Sequence, residues 1–380
     1  MRKFLKWSLI SIATLIILLY VTDYNYILKG IRVVYFTGHT TAFIDDYKYF
    51  DNRSIENKTV QNWSEANTYN SIKPTQRLDS VNNALGTTAF LIIKNGKIVY
   101  ENYAPEYTKD SKTNSFSMAK SITTSLLFKA IQDGYIKSLE QPITDFFPDF
   151  KGEFAKSTTV GDLASMASGL NWEEHYYSPF SMTARAYYDD EISELVNSLE
   201  VNQASGQSFE YLSGNTLLLG MIISKATNKS LSEYLSQSFW RPLGMRQTAY
   251  WQLDNVESGI EKAYCCIASN ARDFAKIGQL FLQNGSWNGK QIIDTSYVKL
   301  ATKARFKESP QYGYGFWLSN YKSKQLFSMR GILGQYVIGI PEDNLLIVRL
   351  GHHRSKEKIN HFPKDFYIYI DETYQMLNQI

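Results

Sequence analysis

Strand signals at the two ends of the chain constrain its fold most. Residues 87–104, TTAFLIIKNGKIVYENYA, contain two runs rich in β-branched and aromatic residues on either side of Asn95-Gly96. This dipeptide is typical of a two-residue hairpin turn. Three further runs of this kind, KQLFSMRG, GQYVIGI and NLLIVRLG, follow one another between residues 324 and 351. Because short turns separate them, we predict that the early hairpin and the late meander pair in one antiparallel sheet.

The chain between these two strand regions has a mostly helical pattern. A helix is predicted to begin after Ser117 and to end at Asp133-Gly134, a typical C-terminal stop signal. Residues 121–258 are predicted to form a helical lobe, and a last amphipathic helix is expected near 364–378. The predicted fold class is therefore α/β (α+β), with an antiparallel sheet flanked by helices and the helical lobe inserted. A ligand is expected in the cleft between sheet and lobe.

The N-terminal segment differs in kind from the rest of the chain. Three basic residues precede an uncharged, mostly apolar run from Trp7 to Val21, and tyrosines follow this run. The pattern predicts an uncleaved membrane anchor within residues 1–24, with a cleaved signal peptide as the alternative. Positive charge stays on the cytoplasmic side, so the remainder is expected outside the cytoplasmic membrane. Residues 25–85 are polar and lack a clear period, which predicts a loosely packed lead-in to a domain spanning 86–380.

Composition and charge exclude several classes of function. The apolar fraction of 44% suits a globular enzyme, and the formal charge of only +3 argues against a nucleic-acid partner. The five histidines form no HExxH or Cys-His arrangement, so no metal site is predicted. The two cysteines, Cys265 and Cys266, are adjacent. Adjacent cysteines bridge only with strain, so no disulfide framework is expected.

A serine followed three residues later by a lysine occurs three times in the chain. One copy falls between predicted strands, where residues three apart point to opposite faces, and another falls in a charged loop that is expected to be solvated. Only Ser117 and Lys120 open a helix, in which residues i and i+3 lie on one face. A helix start also offers N–H groups to an oxyanion, and apolar surroundings free a lysine amine to act as a base. The alternative is a capping serine beside a solvated lysine.

Two further segments supply candidate partners for this pair. In GQSFEYLSGNTLLLG, Tyr211 and Ser213 precede an apolar helix. A tyrosine there can relay a proton if a lysine stabilises its phenolate. Gly331 and Gly334 flank two apolar residues beside a predicted strand. Glycines at such a place permit the close approach of a substrate and expose a backbone N–H to it.

Together these segments resemble the superfamily of serine β-lactamases and penicillin-binding proteins. The resemblance covers about residues 85–355 and includes SMAKSITTSLL, FEYLSGNTLLLG, YGYGFW and GILGQYVIGIPEDNLLIVRLG. The chain is most similar to the branch that holds class C β-lactamases, esterases and 6-aminohexanoate-dimer hydrolases. This resemblance implies a β-lactamase/transpeptidase-like fold and a serine hydrolase that uses no metal or organic cofactor.

The resemblance also implies the roles of individual residues. Ser117 would be the acylated nucleophile, Lys120 its activator and Tyr211 a second base. The implied oxyanion and substrate-binding groups are the backbone N–H groups of Ser117 and Gln335, together with Ser213 and Gly334.

Two departures from the family pattern bear on the substrate. Tyr211-Leu212-Ser213 stands where Tyr-x-Asn is common, as in the amide-hydrolase branch, and Asn215 is a less fitting substitute. Ile332-Leu333-Gly334 stands where the family usually begins with Lys or His. That cation helps to hold a β-lactam's carboxylate. Its loss predicts weak β-lactamase activity and a neutral ester or amide substrate.

Residues 171–191 mix aromatic and acidic side chains without a regular period, which predicts a lid over the cleft. Carboxylates such as Glu173 and Asp189 would receive an amine-bearing substrate; the alternative is ordinary packing with a solvated acidic face.

The predicted function is hydrolysis of a small amide, ester or peptide. The alternative function is a catalytically weak or inactive binding or regulatory protein of the cell envelope. An α/β-hydrolase is not predicted, because no Gly-x-Ser-x-Gly elbow occurs.

Overall fold

The computed structural model of the protein describes residues 1–379. The helices are α1 (Arg2–Val21), α2 (Tyr26–Val34), α3 (Gln76–Ala84), α4 (Met118–Gln132), α5 (Val160–Ala164), α6 (Met182–Tyr188), α7 (Ile192–Asn197), α8 (Ser213–Thr227), α9 (Leu231–Leu235), α10 (Ala271–Leu282), α11 (Thr295–Ala301) and α12 (Lys364–Leu377). The strands are β1 (Asn52–Ile55), β2 (Ser64–Glu65), β3 (Thr87–Lys94), β4 (Lys97–Tyr103), β5 (Thr113–Asn114), β6 (Ala249–Gln252), β7 (Ile267–Ser269), β8 (Ser286–Trp287), β9 (Lys290–Gln291), β10 (Trp317–Tyr321), β11 (Lys324–Gly331), β12 (Gln335–Ile340), β13 (Leu345–Gly351), β14 (Lys358–Ile359) and β15 (Phe362–Pro363).

Seven strands form the main sheet in the order β10-β11-β12-β13-β3-β4-β2. Its strands pair antiparallel except for β2, which runs parallel to β4. The β3–β4 turn is Asn95-Gly96, and both residues have the positive φ that a type I′ turn requires. Strand β13 pairs with β3 along its whole length. The prediction that the early hairpin and the late meander share one sheet is confirmed.

Helices cover both faces of this sheet. One hydrophobic cluster lies between α10 and the sheet and continues into the helical lobe around α4 and α8. A second cluster lies under α3 and α12 on the opposite face. Helix α10 comes so close that a Cβ at Gly278 would lie 2.5 Å from a methyl carbon of Val337. The predicted fold class, a sheet flanked by helices with a helical lobe, is confirmed.

The segment before the first long strand packs tightly, so the expectation of a loosely packed lead-in is wrong. Ile44 and Ile55 are fully buried in the core cluster. Strand β1 pairs with β6, and β2 adds an edge to the main sheet. This part of the chain gains its stability from distant partners rather than from its own periodicity. The domain boundary at residue 86 stays a prediction.

Two further features concern α1 and the cysteines. Helix α1 has no buried residue, and its most apolar window has a mean hydropathy of 2.1. It is long and apolar enough to span a membrane or to serve as a signal sequence.

Just before β7, Cys265 and Cys266 are joined in a disulfide, so the expectation that these neighbours would not bridge is wrong.

Candidate active site

Ser117 lies at the N-terminal cap of α4, at the end of a fixed stretch of backbone. The preceding residue, Phe116, has φ +46°, a conformation that costs energy for a residue with a side chain. The Asn114 Oδ1 atom accepts a hydrogen bond from the Phe116 N–H at 2.8 Å and holds that conformation. Ser117 itself is partly exposed, whereas Met118 is buried. The serine hydroxyl therefore stands where a small molecule can reach it.

Lys120 lies one turn further along α4 and is only 1% exposed. Its Nζ atom is 3.1 Å from the Ser117 Oγ atom and donates to the Tyr264 carbonyl at 3.0 Å. Within residues 1–379 it forms no ion pair with a carboxylate. Burial raises the pKa of the Tyr264 phenol well above its usual range, so this neighbour is uncharged too. The amine thus faces neutral groups only.

Tyr211 completes the cluster from the helical lobe. Its ring centroid is 5.1 Å from the Lys120 Nζ atom, and the residue is partly exposed. The rings of Trp317 and Tyr312 lie 5.2 Å and 6.0 Å from that of Tyr211. The structure therefore brings Ser117, Lys120 and Tyr211 together at the edge of the sheet beside an aromatic wall.

Ser213 follows Tyr211 but turns away from this cluster. Its backbone N–H and its hydroxyl donate to the two oxygens of Glu174 at 2.6 Å and 2.7 Å. The same carboxylate accepts hydrogen bonds from Trp172 at 2.9 Å and from the Tyr176 hydroxyl. Ser213 is only 2% exposed, and its two hydrogen bonds connect the loop of Tyr211 to the predicted lid. The pairing of Glu174 with Ser213 has no local sequence signal, because 39 residues separate the two.

The turn between β11 and β12 forms the opposite side of the site. A Cβ at Gly331 would lie 2.4 Å from the Ser115 carbonyl oxygen, so only glycine fits this close approach to the start of α4. Ile332 comes next and is partly exposed. In the described part of the chain, neither the Ser117 N–H nor the Ile332 N–H donates to a protein acceptor. Both N–H groups are therefore available to an acceptor from outside the protein.

Gly334 and Gln335 are the buried residues that end this turn. Gln335 is fully buried, and its side-chain amide binds the Gly351 backbone. Its backbone pairs with Gly331 as the last residue pair of the β11–β12 ladder. The carbonyl of Gly334 accepts from Arg349, a buried arginine that also holds Leu333 at φ +61°. Arg349, which sequence reasoning missed, stabilises the turn by donating hydrogen bonds to its carbonyl groups.

The predicted lid packs into the hydrophobic core, and its acidic residues differ in their surroundings. Asp189 is 6% exposed and pairs with Arg185 at 2.8 Å. Glu173 is exposed and has no ion-pair partner within the described residues.

Asn215, the weaker candidate for the second motif, is fully buried and bonded to Ser168. Across residues 1–379, no group of His, Cys, Asp and Glu residues is placed to hold a metal ion.

Comparisons with known proteins agree with this architecture. The sequence profile described as Beta-lactamase matches residues 76–363. A 6-aminohexanoate-dimer hydrolase of Paenarthrobacter ureafaciens is 24% identical over 286 residues, which are 70% of this chain and 72% of that protein.

Solved structures show the same fold. A Bacillus anthracis protein assigned as a 6-aminohexanoate-dimer hydrolase superposes with a TM-score of 0.74 at 23% identity, over 86% of this chain and 90% of its own. The D-amino acid amidase of Ochrobactrum anthropi SV3 superposes with a TM-score of 0.59 at 19% identity, over 79% of this chain and 96% of its own. Because the family match covers most of the chain, the protein belongs to the beta-lactamase family of hydrolases, within the superfamily of serine β-lactamases and penicillin-binding proteins.

Proposed function

We propose that the protein hydrolyses an amide or ester bond through an acyl-enzyme formed on Ser117. The observation that carries this proposal is the 3.1 Å distance between the Lys120 Nζ atom and the Ser117 Oγ atom. It lies within hydrogen-bond reach, as a base and its nucleophile require. Among the described residues Lys120 has no carboxylate partner, so its amine is not held in an ion pair.

The reaction would proceed in two halves. Lys120, in its neutral form, takes the Ser117 proton while Oγ attacks the carbonyl carbon. The carbon–nitrogen or carbon–oxygen bond to the leaving group then breaks, and Tyr211 passes a proton to the departing amine or alkoxide. Water, deprotonated by the Lys120–Tyr211 pair, attacks the acyl-enzyme. The bond between the acyl carbon and Oγ then breaks, the acid leaves, and the pair returns the proton to Ser117. A positioned base of this kind typically contributes about 100- to 10,000-fold in rate.

The oxyanion of each tetrahedral intermediate would lie between two backbone N–H groups. The Ser117 N–H remains the first candidate donor. We assign the second to Ile332 rather than to Gln335, because Ile332 follows Gly331 beside Ser115 and its N–H has no acceptor within residues 1–379. Each donor of this type contributes about 3–4 kcal/mol to catalysis.

Amides are the favoured substrate class. Two of the relatives compared above are named for amide hydrolysis, and Tyr211-Leu212-Ser213 lacks the asparagine of many β-lactamases. Helix α1 would anchor the enzyme, with the catalytic domain outside the cytoplasmic membrane; the cleaved signal peptide remains its alternative. Small amides or peptides of the cell envelope would then be within its reach.

Covalent labelling tests the proposed function. The full chain, solubilised in detergent, is treated with a fluorophosphonate probe and assayed on p-nitrophenyl esters, linear amides and nitrocefin. We expect labelling of Ser117 and ester or amide turnover, with both lost in Ser117→Ala. Ser355→Ala is the matched control, because Ser355 begins another Ser-x-x-Lys sequence and its N–H donates to Asp365 of α12. A folded protein that is neither labelled nor active would favour the alternative binding or regulatory function.

A further inference from the structure

Helix α2 has two apolar faces, and only one of them packs on the protein. Tyr26, Val33 and Val34 are buried against the domain. The opposite face carries apolar side chains at the helical spacing of three or four residues, and we call them the outer row: Tyr24, Leu28, Ile31 and Tyr35. Within residues 1–379, none of these four side chains belongs to either hydrophobic cluster. The outer row is therefore an apolar surface outside the core of the protein.

The tip of the predicted lid, Tyr177 and Phe180, extends this surface. The ring of Phe180 lies 5.3 Å from the ring of Tyr24 in an edge-to-face contact. Tyr177 is 94% exposed, and Phe36, which follows the outer row directly, is 81% exposed. Aromatic side chains therefore face solvent near both ends of α2. Apolar surface grouped in this way marks a place where a protein meets a partner.

The charges beside the outer row are mostly paired with one another. Asp23 pairs with Arg185, and Lys29 pairs with Asp190. Arg32, on α2, is exposed and has no ion-pair partner among residues 1–379. An arginine at the edge of an apolar face can extend to phosphate groups while its stem stays on the apolar side. This combination suits the headgroup layer of a lipid bilayer, where aromatic rings and a cation are both accommodated.

The position of α1 favours a bilayer over a protein as the partner. No residue of α1 is buried, and the helix is long and apolar enough to span a membrane. The chain leaves α1 through Asp23, which has φ +61°, and the Tyr24 N–H donates to the Leu19 carbonyl at 2.8 Å. This pattern is typical of a Schellman motif, which ends one helix before the chain continues as another. The outer row thus begins directly where α1 would leave the membrane.

We propose that the outer row of α2 and the lid tip form a membrane-docking surface that lies in the headgroup layer beside α1. This surface is inferred from the proposed position of α1 and does not depend on hydrolysis by Ser117. Interfacial helices place their apolar face about 5–10 Å into the boundary between headgroups and acyl chains. A single fatty acyl chain binds a membrane only marginally, so a surface of this size orients the domain while α1 holds it. The lid, which Glu174 connects to the loop of Tyr211, would then lie at the bilayer.

A fluorescent label on this surface tests the proposal in the full chain. The native cysteines are bridged and buried, so an introduced cysteine alone takes a thiol-reactive nitrobenzoxadiazole dye. The dye is placed at Ile31→Cys or at Phe180→Cys, and the protein is reconstituted in nanodiscs of phosphatidylcholine and phosphatidylglycerol. We expect a loss of emission with a lipid that carries a nitroxide near its headgroup. The loss should be smaller with a nitroxide near the end of the acyl chain, and smallest with aqueous iodide.

Tyr135→Cys is the matched control for a label away from the membrane. Tyr135 is an exposed tyrosine beyond the C-terminal end of α4. The 15 residues of that helix span about 22 Å, which separates Tyr135 from Ser117 and the lid. Iodide should quench this label, and neither nitroxide lipid should do so.

Replacing the outer row should remove the docking. With the dye at Phe180→Cys, the combined substitutions Tyr24→Ser, Leu28→Ser and Tyr35→Ser should reduce quenching by the headgroup nitroxide and increase quenching by iodide. The melting temperature should stay close to that of the parent, because these side chains lie outside both hydrophobic clusters of the described chain.

Two results would overturn the membrane-docking surface. One is quenching of the Ile31→Cys and Phe180→Cys labels by iodide as strongly as that of the Tyr135→Cys label, whether or not α1 is inserted. The other is a label shielded from iodide and from both nitroxide lipids, which would indicate a protein partner such as a second copy of the chain. Alkaline extraction of cell membranes reports on α1 separately, and fluorophosphonate labelling of Ser117 reports on the proposed function.

Discussion

Lys120 is the residue on which the proposed chemistry depends, and it is buried without a carboxylate partner among residues 1–379. The amine is surrounded by a serine hydroxyl, a backbone carbonyl and the faces of Tyr211 and Tyr264. Burying an amine without a carboxylate costs stability, and such sites are kept where function needs them. We therefore attribute the position of Lys120 to catalysis rather than to folding.

Replacing Lys120 by methionine should separate activity from stability. The substitution keeps the length of the side chain and removes the amine, so kcat/KM should fall by about 100- to 10,000-fold. The melting temperature should stay equal or rise, because a buried polar group is lost. Initial rates and thermal unfolding of purified protein measure both. Lys129→Met is the matched control, since Lys129 lies on the same helix and pairs with Asp133 at the surface. Labelling of Ser117 at the wild-type rate in Lys120→Met would contradict this role.

Sequence reasoning could find the residues of the site that are close in the chain and could not find those that support them. Ser117 and Lys120 are three apart on a helix, where spacing alone puts two side chains on one face. Glu174 reaches Ser213, and Arg349 reaches Leu333 and Gly334, only through the tertiary fold. No local pattern reports such contacts.

At the scale of elements, the start of α4 is fixed by a segment that precedes it by many residues. Asp46, fully buried, accepts hydrogen bonds from Asn114 at 2.9 Å and from the Tyr187 hydroxyl at 2.6 Å. Asn114 lies in β5 and holds Phe116, the residue before the serine. The lead-in, strand β5 and helix α6 of the lid therefore meet at one carboxylate behind the site.

This carboxylate should make stability depend on pH. Burial raises the pKa of Asp46 to about 6, although its hydrogen bonds and the charge of Lys262 oppose the shift. The folded protein therefore keeps a proton that the unfolded chain loses above about pH 4. Its contribution to the free energy of unfolding is complete below that pH and is lost as the pH rises through about 6. The loss is on the order of 2–3 kcal/mol.

Asp46→Asn should remove this dependence. Relative to wild type, the variant should become progressively more stable between pH 4 and 6.5 and then keep a constant difference. Chemical unfolding followed by tryptophan fluorescence at closely spaced pH values measures the difference. Asp145→Asn, a carboxylate at the surface, serves as the control for general charge effects. Parallel wild-type and Asp46→Asn curves across this interval would contradict the interpretation.

The elements themselves were predictable to different degrees for physical reasons. Strands β3, β4 and β11–β13 carry continuous β-rich runs separated by turn residues, and α4 carries a start and a stop signal. Residues 25–85 form short elements that are stable only against distant partners, so their sequence has no period to detect. The family pattern implies the backbone N–H of Gln335 as an oxyanion donor, and we propose Ile332 in its place because a close approach at Gly331 brings the turn against Ser115.

At the scale of the whole molecule, helix α1 extends from the side of the domain that carries the lid. The Tyr26 hydroxyl donates to the Pro179 carbonyl at 3.0 Å, and the rings of Tyr24 and Phe180 lie 5.3 Å apart. Asp23, two residues after α1, pairs with Arg185 of α6. If α1 spans a membrane, these contacts put the lid close to its surface. An anchored enzyme of this shape would meet its substrates at the membrane.

Truncation after α1 should release a folded, active domain. A fragment starting at residue 25 keeps α2, whose Val33 and Val34 are buried, and should be soluble, with a melting temperature close to that of the full chain. A fragment starting at residue 45 loses α2 and the buried Ile44 and should not fold.

The full chain should stay with the membrane fraction after alkaline washing, and its intact mass should include Met1, because an anchor is not cleaved. A secreted product that begins near residue 25 would establish a signal peptide instead, and a stable fragment from residue 45 would contradict the structural role assigned to the lead-in.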